Sequence, residues 1–96
     1  MSQLTILVNI YARPEQVTLV QTELERLVPI TLSEPGCIHY ELHRDNIDPS
    51  HFMFYETWVT REQWQAHMEQ PHVAAYAQAT DGAVMHFTLN ELTSLS

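Results

Sequence analysis

The chain has 96 residues, of which 45% are hydrophobic and 17% charged, the profile of one soluble domain with a modest core. Four Arg, no Lys and twelve acidic residues leave a formal charge of −8, a surface that repels nucleic-acid phosphates and anionic lipid, so neither is expected as a partner. A chain this short buries only about 60% of the surface it exposes when unfolded, which makes pairing with a second copy a common remedy.

Cys37 is the sole cysteine, so no internal disulfide can form and a reducing compartment suits the chain. The first residues have no basic n-region, and their apolar stretch is too short for an export signal. No apolar run approaches the length of a membrane span. A cytoplasmic protein, one domain over residues 1–96, is expected.

Leu4 to Tyr11 reads as a first strand, with Ile6, Val8 and Ile10 on one face and Leu7, Asn9 and Tyr11 on the other. From Pro14 the apolar positions Val17, Val20, Leu24, Leu27 and Val28 follow helical spacing. Pro29 is expected to kink or end this helix, or to leave a short last turn to Ser33, because it lacks the N–H that the ladder needs. Pro35-Gly36 is a stop, and Cys37 to Arg44 alternates in period two as a second strand. Asn46 to Ser50 supplies turn chemistry before His51 to Val59 returns as a third strand. Thr60 is an expected N-cap for a helix from Arg61 to about Glu69, with Gln63 completing a capping-box pattern. Pro71 separates a second helix, His72 to Thr80, and Ala83 to Leu92 forms the last strand.

The order β-α-β-β-α-β predicts an α+β, ferredoxin-like fold, an antiparallel sheet with helices on one face. Leu7, Tyr11, Met53, Tyr55, Val59, Phe87 and Leu89 are assigned to the opposite face or near it. So apolar a surface predicts a homodimer in which two sheets pack face to face.

The chemistry concentrates between Glu34 and Tyr76. Glu56 lies between Phe54 and Trp58 on one strand face, where aromatic burial would raise its pKa. Its plainer reading is a carboxylate that caps backbone or pairs with Arg44 or Arg61. Trp64 and His67 are one helical turn apart, as are His72 and Tyr76, and imidazole is the side chain best suited to proton transfer near neutral pH. Taken singly, either histidine also reads as an ordinary cap or a half-exposed surface residue. Metal spacing is poor. His39 and His43 in a strand stand about 13 Å apart, and only Glu56, His67 and His72 offer a conceivable facial triad. No metal and no cofactor are expected, and neither a nucleophilic Cys37 nor a glycine-rich phosphate loop has a signature. Trp58, Trp64, Phe54 and Tyr76 serve the core first and a pocket wall second.

The motifs Glu34-Pro35-Gly36-Cys37, Tyr40, Phe54-Tyr55-Glu56, Trp58, His67, Pro71-His72 and Tyr76 together resemble the antibiotic biosynthesis monooxygenase family, which includes quinol monooxygenases. The resemblance spans nearly the whole chain. It implies a dimeric α+β barrel and a pocket between helices and sheet, with Glu56, His67 and His72 as its polar lining and Trp58 and Trp64 as aromatic walls. It also implies a cofactor-independent oxidation of a small dihydroxyaromatic by dioxygen, with His67 or His72 as the base. The polyketide oxygenases and haem-degrading members carry Asn where Phe54 stands here. Proton-transfer isomerisation of a keto-sugar or dicarbonyl, and ligand binding without catalysis, are the competing expectations.

Overall fold

The computed structural model describes residues 3–96. Four strands, β1 (Leu4–Ala12), β2 (Cys37–Arg44), β3 (His51–Trp58) and β4 (Val84–Leu92), form one antiparallel sheet in the order β2-β3-β1-β4. A 3-10 turn at Pro14–Gln16 leads into α1 (Val17–Leu32), and α2 (Arg61–Met68) and α3 (Pro71–Ala79) join β3 to β4. The expected ferredoxin-like α+β arrangement is therefore present.

The strands sort their side chains by alternation. Register pairs Ile6 with Glu56, Val8 with Phe54 and Ile10 with Phe52, and on the far side of β3 pairs Tyr40 with Glu56. This face meets Val20, Leu24 and Leu27 of α1 and Trp64 of α2 in a single buried cluster that includes the fully buried Trp58 at the end of β3. Each fully buried aliphatic side chain there contributes about 1.5–3 kcal/mol.

α1 does not break at Pro29; the helix runs on to Leu32. Pro29 and Glu25, whose carbonyl loses its i+4 partner, are both exposed, so water can satisfy that oxygen. The unbroken helix keeps Thr31 on the buried stripe of Leu24 and Leu27.

The Glu34-to-Cys37 turn packs tightly under α2. Gly36 has φ +84°, and a Cβ there would collide with the Gln63 side chain. Thr60 accepts a hydrogen bond from the Gln63 backbone N–H at 3.1 Å, capping α2 as expected. Gly36 O accepts from Val59 N at 2.8 Å, which ties the turn to the end of β3.

The opposite sheet face carries Leu7, Tyr11, Met53 and Tyr55 as expected, but not Phe87 or Leu89. Register sets Phe87 beside Ile10 and Leu89 beside Val8, on the helix side, and Val59 lies just beyond β3. An irregularity in β1–β4 pairing between Tyr11 and Ala12 skips Met85 and shifts the parity of β4. Val84, Phe87 and Leu89 consequently all reach the same side.

Candidate active site

A cavity of about 410 Å³ lies between sheet and helices. Its walls are apolar: Val8 and Ile10 of β1, Leu24 and Leu27 of α1, Phe54 of β3, Tyr76 of α3, and Phe87 and Leu89 of β4. One end carries Tyr40, Glu56 and His67, and the other Thr80 and Asp81. No arginine lines it.

Glu56 is 3% exposed and accepts a hydrogen bond from Trp58 Nε1 at 2.9 Å. Burial pushes its carboxyl from the ordinary 4.5 up to about 7; the Trp58 bond pulls the other way, and the negative charge of Glu34 adds to the rise. Near neutral pH this group can therefore either give or take a proton.

His67 is buried at the same end, its ring 5.0 Å from that of Trp58 and edge-on to Tyr40 at 5.5 Å. Its Nδ1 lies 2.7 Å from Glu34 Oε2. Burial lowers the imidazole pKa, while the bond to Glu34 and its charge oppose the fall. His67 is thus neutral at neutral pH, and the contact is an N–H donated to a carboxylate rather than a full ion pair.

His72, half-buried on α3, places Nε2 2.8 Å from the same Glu34 oxygen and 3.3 Å from Thr31 Oγ1. It does not line the cavity. Trp58 stands behind Glu56, fully buried, and Trp64 is buried with its Nε1 unpartnered, so neither indole is a cavity wall. Phe54 and Tyr76 are. Burial raises the Tyr40 hydroxyl well above its ordinary range, with Glu56 adding to it. Cys37 is likewise pushed up to about 11 by burial first and by Glu56 and Glu34 after it, a thiol ill-suited to attack.

Thr31, Glu34 and Tyr40 are site residues beyond the expected set, although Glu34 and Tyr40 stand in the motif that carries the family resemblance. Thr31 left a signal, a polar residue on the apolar stripe of α1, seven positions after Leu24. Glu34 reads along the chain as part of a turn and of the family motif, with no sign of an imidazole partner. Glu34, His67 and His72 bring three donor atoms within 4.8 Å of one another, a composition that a divalent cation could use. As they stand, the three satisfy one another by hydrogen bonds.

A buried carboxyl and a neutral imidazole opening on an apolar cavity of this topology can be set against known proteins. The profile of the antibiotic biosynthesis monooxygenase family matches residues 3–79. The chain belongs to that family. A curated relative, the probable quinol monooxygenase YgiN of Escherichia coli K12, is 28% identical over 99 aligned positions, covering 93% of this chain and 95% of YgiN. The crystal structure of PA3566 from Pseudomonas aeruginosa superposes with a TM-score of 0.96 at 25% identity, covering all of this chain and 97% of that one. Another crystal structure, of an antibiotic biosynthesis monooxygenase, gives 0.91 at 26% identity, with 97% and 99% of the two chains covered. A monooxygenase-like function follows from the family. No helix among the described residues is long and apolar enough to cross a membrane.

Proposed function

We propose that this family member is a cofactor-independent monooxygenase of a small, uncharged dihydroxyaromatic, working in a reducing, cytoplasmic setting. The observation that carries the reading is the cavity end where His67 and Glu56 meet otherwise apolar walls. The likeness to YgiN, a probable quinol monooxygenase, supports the substrate class.

In this scheme a hydroxyaromatic ring lies among Phe54, Leu24 and Tyr76, and a neutral His67 takes its phenolic proton. The electron-rich ring carbon then bonds to one oxygen of O₂, and the distal oxygen receives a proton to give a hydroperoxide. Loss of the ring C–H proton with cleavage of O–O releases water and leaves a new carbonyl. One substrate and one O₂ thus become one hydroxyquinone and one H₂O. Glu56, with a pKa near neutrality, serves the proton exchanges that follow the first. The apolar walls keep bulk water from the anion.

A keto-sugar phosphate isomerase would want a cation at the substrate anion. Arg44 points to Gln21 and Arg61 to Glu91, and no arginine reaches the cavity, which favours the uncharged aromatic. The half-buried Leu7, Tyr11 and Met53 with exposed Tyr55 further support a homodimer packed through that sheet face.

Oxygen uptake is measured with a panel of quinols, with and without a metal chelator. Uptake that resists the chelator and collapses in His67→Ala supports the reading; wild-type rates no higher than those of a His67→Ala/His72→Ala protein refute it. Turnover that persists without oxygen would favour the isomerase.

A further inference from the structure

His67 sits on α2 and His72 on α3, yet both direct a ring nitrogen to one oxygen of Glu34, 33 and 38 residues earlier in the chain. Glu34 is held where α1 ends: its N–H donates to Thr31 O at 2.9 Å, its carbonyl accepts from Cys37 N at 3.3 Å, and Gly36 beside it is locked beneath Gln63. Its side chain is 11% exposed, against 3% for His67 and 12% for His72. A carboxylate oxygen in such a place needs hydrogen-bond donors, and two ring nitrogens lie within reach of it.

That arrangement has a consequence for His67. A carboxylate oxygen only accepts, so Nδ1 of His67 carries the proton and Nε2 is the nitrogen with a lone pair. Nε2 has no protein partner, yet it is not among the sealed, unpartnered buried atoms, where Trp64 Nε1 stands alone among the described residues. His67 lines the cavity and Glu34 does not.

We propose that Glu34 is a positioning residue: its Oε2, braced by the His72 N–H, fixes His67 with the proton on Nδ1 and the basic Nε2 toward the cavity. This deepens the reading of His67 as the base and rests on it for its catalytic meaning. The tautomer itself is independent of any substrate.

Nitrogen-15 NMR of the imidazoles tests it on the intact protein without substrate. In the wild type His67 is expected to hold the Nδ1–H tautomer across its neutral range. In Glu34→Ala the balance moves toward Nε2–H, the form preferred by a free neutral side chain. Glu34→Gln, of equal size, keeps a carbonyl acceptor but no charge; it is expected to retain much of the tautomer and to lower the His67 pKa further, because the charge that opposed burial is gone. His72→Ala should loosen the His67 tautomer in part, since it removes only the brace. An unchanged His67 tautomer in a folded Glu34→Ala protein overturns the proposal, and if that variant does not fold, an unchanged His67 pKa in Glu34→Gln does so. Stoichiometric uptake of Zn²⁺ by the wild type that removes the Nδ1–H signal also overturns it, by making the triad a cation site. With quinol, Glu34→Gln should lose at least tenfold in kcat with little change in KM. If the tautomer shifts as expected but the wild type oxidises no quinol, positioning stands and the oxygenase reading falls.

Discussion

Trp58 Nε1 donates to Glu56 Oε1 across 2.9 Å, the two side chains lying two residues apart on the helix-facing side of β3. The indole that anchors the core is thereby also the only protein donor to a carboxyl that opens on the cavity, among the hydrogen bonds of the described residues. One bond is too little to keep a buried carboxylate ionised, and the carboxyl titrates near neutrality as a result.

Glu56→Gln should therefore stabilise the protein at alkaline pH. With a folded pKa of about 7 against 4.5 unfolded, the folded state holds the proton more tightly, so wild-type stability falls as pH rises from 4.5 to 7 and stays low above it. The full effect is about 3 kcal/mol. Urea melts at pH 4 and pH 8 should show the advantage of the glutamine protein at pH 8 and its narrowing at pH 4. An equal difference at the two pH values would mean that Glu56 is ionised without penalty.

Trp58→Ala should cost about 3–5 kcal/mol, since the indole is fully buried and takes the Glu56 hydrogen bond with it. The variant should melt far below the wild type in a thermal scan. A near-normal melting temperature would mean that the indole packs less tightly than it does here.

The lowered pKa of His67 sets the acid side of any pH profile. The base is neutral, and so active, down to below the ordinary 6.5 of histidine, and kcat/KM for a quinol should hold through pH 6.5 before it declines. A decline centred above pH 7 would assign the essential base to another group.

Gly36→Ala should destabilise by about 1–3 kcal/mol, because φ of +84° strains any L side chain and the new methyl meets Gln63. Moving this turn also moves Glu34, so the His67 resonances should shift in the same protein. Wild-type stability with unshifted imidazoles would show that the turn relaxes freely.

Tyr55→Glu places a carboxylate on the exposed sheet face beside Leu7 and across from Glu41. Light scattering should then report a monomer with wild-type circular dichroism, whereas the parent is expected to be a dimer. An unchanged mass for the variant would move the interface elsewhere.

Much of this architecture was legible in the chain, because alternation and helical spacing are local. Cys37–Arg44 is an observed strand with the expected ends, and the Thr60 cap and the divide at Pro71 stand where residue chemistry puts them. Pro29 was misleading since a proline near a helix end, on its wet side, loses a bond that water replaces. The facing of Phe87 and Leu89 depended on a pairing irregularity opposite Tyr11 and Ala12, and β4 has apolar residues at both parities, so its own pattern left the choice open.

By itself, then, the sequence determined the order of elements, the family, and the segments from which a site would be built. Only the tertiary structure decided which carboxylate faces which imidazole. Glu56 and the histidines were obvious partners by type, but β3 turns Glu56 toward its own Trp58, while the end of α1 brings Glu34 under α2 and α3. Contacts across more than thirty residues are set by how helices pack on a sheet, and no periodicity within a single element records them.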